Sequence, residues 1–349
     1  MSGILHPLIG RVIGAVGSGC LLVELQQFGP DDEAAVATYV AVENACLVDA
    51  PWWHPTTVHR QTMLMRHGWD GEVGRHFLLH ADGEVVGRAA VHTSDYDNLD
   101  AAVVELAIHP EQRRRGHGTA GMQQACDVVR SLGRTKVGWF GWVGERTEGF
   151  AAALGCEPKS VAVCRRQHPR GLDPGLADRL YAEAAPHARD YELLRIVAPT
   201  PDELLPGLAE ATEAINDAPL DGLELEDEVF TADRVRAYER AQLDSGFRFY
   251  RIVARHRPSG EIAGLSVVTA DSETPSQGHQ HDTSVVRSHR GHRLGLLLKA
   301  DMMRWLAEVE PQLETIDTFN AESNDHMVGV NERLGYRVMG RELQYQVAL

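Results

Sequence analysis

A Gly- and Arg-rich turn that occurs twice, once in each half, constrains this chain more than any other feature. Pro110-Glu-Gln-Arg-Arg-Arg-Gly-His-Gly-Thr-Ala120 lies between an apolar run of strand character and an amphipathic run of helical spacing. Arg287-Ser-His-Arg-Gly-His-Arg-Leu-Gly295 lies between the same two kinds of neighbour. Such a turn leaves backbone N–H groups unpartnered at a helix N-terminus, where the helix dipole adds partial positive charge. It predicts an anion cradle in each half. The repeat extends upstream: Glu105 stands eight positions before Arg113, and Asp282 eight positions before Arg290.

Around the first turn the pattern predicts an opening strand at 21–25, an N-capped helix over 33–48, and a hairpin of strands 76–79 and 84–92 about Ala81-Asp-Gly83. A strand over 101–109 then delivers the chain to the turn, a helix over 119–131 leaves it, and a strand over 136–142 and a short helix over 144–153 follow. The second half repeats the order: a strand at 191–197, a helix from Thr200-Pro-Asp-Glu to Asn216, a helix over 231–244, and a hairpin of 247–256 and 261–270. Strand 280–286 and helix 296–309 then flank the second turn. The Pro/Gly-rich stretch Gln167-His-Pro-Arg-Gly-Leu-Asp-Pro-Gly175 places a boundary between two domains, 21–168 and 191–349, with 169–190 as linker. Residues 1–20 read as a flexible leader. They lack the charged start of a signal peptide and fall short of a membrane span.

Arg113, Gly116 and Gly118 fit the pattern [Gln/Arg]-x-x-Gly-x-[Gly/Ala], and Asn331-Glu-Arg-Leu-Gly-Tyr336 ends the chain's last helical stretch. In these motifs the chain resembles the GNAT superfamily of N-acetyltransferases, with two copies of the domain arranged as in mycothiol synthases. The resemblance implies an α/β (α+β) fold in which each copy is a mixed, mostly antiparallel sheet flanked by helices. It implies acetyl-CoA as acyl donor, a small-molecule amine as acceptor, and direct attack of the amine on the thioester. Glu105 and Asp282 would then be the bases that take the amine's proton. The coenzyme's diphosphate would be held by Arg113, Arg114, Arg115, Gly116, His117, Gly118 and Thr119 in the first copy. In the second it would be held by Arg290, Gly291, His292, Arg293, Leu294 and Gly295. The strand ends Ala107-Ile108 and Val285-Val286 and the residues Asn324 and Asn331 would complete the site.

Both copies depart from the family pattern. The tyrosine that protonates the departing thiolate in many members is Ala151 in the first copy and Asn331 in the second, and Arg293 stands where the turn's central glycine would be. The expectation is coenzyme binding in both copies and chemistry in one. A non-catalytic acyl-CoA-binding protein and a mycothiol-synthase-like acyltransferase are the alternatives. Trp52 and Trp53 either line a pocket or pack in the core, and Leu223-Glu-Leu-Glu-Asp-Glu228 is a solvated face or a dock for a cationic acceptor.

A net charge of −16 argues against a nucleic-acid surface. Five scattered cysteines without disulfide or metal spacing point to a reducing cytosol. The histidines 279, 281, 289 and 292 come without an accompanying ligand set, so no metal is expected. A monomer or homodimer with no membrane partner completes the reading.

Overall fold

The computed structural model describes residues 23–349, and the expected leader at 1–20 lies outside them. Strands β1 (Val23–Phe28), β2 (Arg75–Ala81), β3 (Glu84–His92) and β4 (Ala101–Ile108) pair antiparallel in sequence order. Strand β5 (Lys136–Trp142) then pairs with β4 in parallel. Helices α1 (Glu33–Ala45) and α2 (Val58–His67) fill the β1–β2 connection, α3 (His117–Ser131) crosses from β4 to β5, and α4 (Glu145–Ala153) follows β5. Local chemistry starts these helices where the chain needs them: Asp32 accepts from the N–H of Ala35 at 3.0 Å and Thr57 from that of Arg60 at 3.0 Å.

After β6 (Ser160–Gln167) and α5 (Leu176–Ala184) the series repeats. It runs β7 (Tyr191–Val197), α6 (Leu205–Thr212), α7 (Ala232–Asp244), β8 (Phe247–His256), β9 (Ile262–Asp271), β10 (Gln277–Val285), α8 (Leu294–Val309), β11 (Thr315–Ala321), α9 (Asp325–Arg333) and β12 (Arg337–Ala348). Every residue of β9 is buried. It is a strand covered on both faces, with α6 on one and α8 on the other. The long helix expected from Thr200 to Asn216 is broken into two 3-10 turns around α6. Thr200 is buried and gives its hydroxyl to Glu239 at 3.0 Å instead of capping the helix.

The two expected domains are not separate sheets. All twelve strands form one sheet in the order β1-β2-β3-β4-β5-β12-β6-β11-β10-β9-β8-β7. The last strand of each half therefore sits in the other half: β12 lies against β5, and β6 against β11. Arg166 on β6 clamps Asp317 on β11 with bonds of 2.6 and 2.8 Å, both side chains buried. The stretch 169–190 also differs from the expected linker. Leu180 and Ala184 of α5 are buried in the second half's core beside Leu297, Leu298 and Trp305 of α8. The Pro/Gly signal marks only the turn before α5, and the helix after it buries an apolar face.

Candidate active site

Strands β4 and β5 pair only as far as Val104 and Trp139, and β10 and β11 only as far as His279 and Asp317. Beyond those points each pair splays apart, and the helix that follows each turn starts at the mouth of the splay. The two turns have the same backbone shape. Arg114 and Gly116 take positive φ in the first (63° and 85°), and Gly291 and Arg293 in the second (88° and 55°). Each turn thus places a non-glycine in the left-handed region at the position where the other has glycine. Arg293 replaces the expected glycine without changing the path of the chain. The first arginine of each turn also plays one role: Arg113 Nε donates to the Ile108 carbonyl at 2.8 Å, and Arg290 Nε to that of Val285 at 3.1 Å. Each is held by an aspartate of the 3-10 turn after the first helix of its half, Asp49 at 2.8 Å and Asp217 at 2.5 Å.

Arg114 is exposed, has no hydrogen bond or ion pair among the described residues, and is strained. Arg114→Gly should raise stability by roughly 0.5–1 kcal/mol, the left-handed penalty of a non-glycine less the extra entropy a glycine loses on folding. A urea midpoint that falls instead of rising would contradict this.

The surroundings of the two turns differ. Beside Gly118 the Phe150 ring is 3.3 Å from where a Cβ would stand, whereas a Cβ on Gly295 would meet nothing within 4 Å. The space at Gly295 belongs to a cleft of about 1450 Å³ in the second half. That exceeds the roughly 300–1,000 Å³ of a pocket for one small ligand and suits two substrates side by side. Val285, Arg290, Gly291, Arg293, Leu294, Gly295 and Asn324 line it. Asn324 also caps α9, accepting from the Met327 N–H at 3.2 Å.

Three expected second-half residues lie elsewhere. Val286 packs against the core between α6 and the sheet, and His292 turns to the His187 carbonyl at 3.2 Å. Asn331 is fully buried, its amide bonded to Lys299 and Asn320 at 2.6 Å each. In the first half His117 is buried, Ile108 packs on the core, and Arg115 folds back on Gln112 and the Glu111 carbonyl. Ala107, Gly116, Gly118 and Thr119 keep their places at the strand end and helix start.

The two carboxylates also part company. Glu105 is held by Arg88 at 2.9 Å and His92 at 3.3 Å, and these partners depress its pKa far below the usual carboxylate range against the opposing effect of burial. Asp282 is exposed on the cleft, with no hydrogen bond or ion pair to its carboxylate among the described residues. The protein walls around it raise its pKa, with Arg251 pulling the other way.

A β-bulge accounts for the position of Asp282. Gln280 pairs with Val268 and Thr283 with Ser266, so His281 and Asp282 share one partner position, whereas β4 runs against β3 without a register shift. A bulge frees backbone groups and re-aims a side chain. The His281 ring fixes it: Nδ1 is 2.6 Å from the Tyr238 hydroxyl, Nε2 is 2.7 Å from the Thr269 hydroxyl, and Trp69 stacks on it at 4.8 Å. Burial lowers the pKa of His281 to about 3, so the ring is neutral. His279 lines the same cleft, while His289 and His292 lie beside Tyr191. No group of three or more His, Cys, Asp or Glu placed to hold a metal occurs among the described residues, and no helix among them is long and apolar enough to cross a membrane.

The first half supplies walls for this cleft. Trp53 and Trp69 line it, as do Ser160 and Ala162 of β6. A strap over 217–228 lines it with Pro219, Leu220, Leu223 and Leu225 and is pinned to β6, β12 and the loop before β4. Ser160 donates to Asp221 at 2.7 Å, Glu224 N–H to Gln346 at 2.7 Å, and Glu226 N–H to Asn98 at 2.8 Å. The acidic run is therefore a tethered segment whose leucines face the cleft. Trp69, Tyr238 and Lys299 escaped sequence reasoning, although a single lysine inside Leu296-Leu-Leu-Lys-Ala300 is a visible signal.

Comparison with known proteins bears on the family and the fold. The model of the "Acetyltransferase (GNAT) family" matches residues 40–155. A mycothiol acetyltransferase of Amycolatopsis mediterranei is 28% identical over 281 residues, covering 78% of this chain and 84% of that protein. One from Streptomyces avermitilis is 34% identical over 104 residues, 30% of this chain and 31% of that protein. Among solved structures, a tandem GNAT protein from the clavulanic acid biosynthesis pathway superposes with a TM-score of 0.76 at 22% identity, over 94% of this chain and 98% of its own. A GCN5-related N-acetyltransferase from Sphaerobacter thermophilus gives 0.63 at 17%, over 93% and 95%. Residues 40–155 thus match the GNAT acetyltransferase family, and the chain as a whole has the fold of a tandem GNAT protein.

Proposed function

We propose that this acetyltransferase moves the acetyl group of acetyl-CoA to the amine of a small molecule in its second half, with one coenzyme per chain. The observation that carries the reading is the bulge at His281 and Asp282 beside an open helix N-terminus, a combination the first half lacks. The N–H groups opening α8 hold the diphosphate, helped by the exposed guanidinium of Arg293, which exchanges its ion pair with Glu183 at 2.8 Å for charge-assisted bonds to phosphate, while Arg290 stays on Asp217 and braces the turn. Asn324 and Val285 border the arm that leads to the thioester. Backbone N–H groups freed where β10 leaves β11 stabilise the oxyanion. Asp282 takes the proton of the attacking amine, directly or through water, its raised pKa bringing it nearer the working pH. The apolar strap and Trp53, Trp69 and the half-exposed Phe319 enclose the acceptor.

Glu105 serves the first half as a structural ion-pair partner, and that half holds the strap and the tryptophans in place. A second reading of the acceptor is favoured by the likeness to mycothiol acetyltransferases along 78% of the chain. It keeps the same chemistry with a mycothiol-type amine in the cleft, so amines of that kind belong in the acceptor panel beside simple aliphatic and aromatic amines.

Calorimetry with coenzyme A tests the siting. One molecule per chain is expected, with affinity falling at least tenfold in Gly295→Val, whose side chain enters open space in the cradle without touching protein at its Cβ. Two sites per chain, or a Gly295→Val variant that binds normally, would put the coenzyme elsewhere.

A further inference from the structure

Lys299 projects from the middle of α8 into the core, 3% exposed, where its side chain forms part of the cleft floor. No carboxylate pairs with it among the described residues. Its ammonium donates to Asn331 Oδ1 at 2.6 Å, and the Asn331 amide donates to Asn320 Oδ1, also at 2.6 Å, on the cleft wall. The Tyr336 ring lies 5.2 Å away. Other ionisable groups on the elements around it are committed or neutral: Asp317 of β11 is clamped by Arg166, and burial lowers the pKa of His279 of β10 to about 4. A buried ammonium without a counter-charge is costly, and such a group is retained where a reaction needs it.

We propose that Lys299 is the proton donor to the coenzyme A thiolate, held in position by Asn331. The inference rests on acetyl transfer in the second half. The amine nitrogen forms its bond to the carbonyl carbon, and the tetrahedral intermediate collapses with the C–S bond breaking and its electron pair passing to sulfur. Sulfur takes a proton from Lys299 Nζ, leaving a neutral amine that solvent reprotonates, while the acceptor's proton leaves through Asp282. Burial alone pushes the Lys299 ammonium down to about 7 from the ordinary 10.5. A free thiol ionises at roughly 8.5, so the transfer to a thiolate runs downhill. Asn331 stands in helix α9 where many family members carry the tyrosine acid, and here it orients the acid instead of being one.

The test is the pH dependence of kcat for the wild type, K299M and K299R at saturating substrates, with coenzyme A affinity measured alongside. Wild-type kcat is expected to fall on an alkaline limb. K299M should be about ten- to a hundredfold slower at pH 7, toward the low end for a lost general acid because a thiolate leaves well, and should lack that limb at unchanged coenzyme affinity. K299R keeps the charge but releases no proton in this range and should behave like K299M. Wild-type kcat restored in K299R, or an unaltered rate and limb in K299M, would overturn the assignment. If neither variant folds, the wild-type profile decides: absence of an alkaline limb refutes it. A wild type that binds no coenzyme and releases no thiol refutes the acetyl-transfer reading instead.

Discussion

Asp282→Asn should lower kcat by about 10²–10⁴-fold, the usual worth of a positioned general base, with coenzyme A affinity and thermal stability nearly unchanged. Glu105→Gln should do the reverse. The two carboxylates occupy the same offset from their turns, and their surroundings decide between them. Glu105 is ion-paired with Arg88 and lies 3.3 Å from His92, so it has no affinity to spare for a proton near neutral pH. Removing its charge leaves the Arg88 guanidinium, which is buried and also touches Tyr39 and Glu43, with one partner fewer. The loss is expected to be about 1–3 kcal/mol, below the figure for a fully buried pair because the Glu105 side chain is one-third exposed. Because the folded-state pKa of Glu105 is depressed, its contribution is present above the ordinary carboxylate value of 4.5 and is lost as pH falls below it. Asp282 differs in its partners: it is exposed on the cleft, no hydrogen bond or ion pair holds its carboxylate among the described residues, and the surrounding protein raises its pKa against the pull of Arg251. The acid limb of kcat/KM should lie above the ordinary 3.8 of an aspartate and disappear in Asp282→Asn. Steady-state thiol release across pH for both variants reads this directly, and equal losses in both, or none in Asp282→Asn, would remove Asp282 from its role.

The contrast shows what the sequence could carry. Turns, strands and helices were legible because each is written within a dozen residues: glycines at positive φ, apolar alternation, capping side chains. Equal spacing of Glu105 and Asp282 was legible too, but not the neighbours that make one inert. Arg88 comes from the adjacent strand, where Ala90 pairs with Glu105, and that register is a property of the sheet. The bulge at His281 and Asp282 is likewise a matter of pairing, one extra residue against Val267 that no local pattern marks. Arg293 looked like a defect because a glycine was missing, yet the same bend forms with the glycine moved to 291. The strap escaped because its acidic residues dominate the local pattern, and only the folded chain shows Leu223 and Leu225, which alternate with them, at the cleft.

Deleting residues 337–349 should abolish folding of the whole chain, although they belong by sequence to the second half alone. Strand β12 carries no part of the second half's hydrogen-bonded ladder directly: its partners are β5 and β6, both from the first half. Tyr345 is 2% exposed and stacks on Trp139 of β5 at 3.9 Å, so β12 closes the first half's core. Without it β5 and β6 lose a ladder each, and β6 keeps only its pairing with β11. The free energy at stake is comparable to the roughly 5–15 kcal/mol that holds a domain together. The same exchange forbids independent folding of the segments that the sequence divides. A fragment ending at 168 has β6 but lacks the strand that joins it to β5. One beginning at 191 lacks both β6 and α5, whose Leu180 and Ala184 belong to its core. A chain cut in the turn at 169–175 should therefore yield two insoluble or unfolded pieces that recover native circular dichroism and a single thermal transition when refolded together. Either piece folding cooperatively alone, or two resolved transitions in the intact protein, would mean that the halves are autonomous and that the shared seam contributes little.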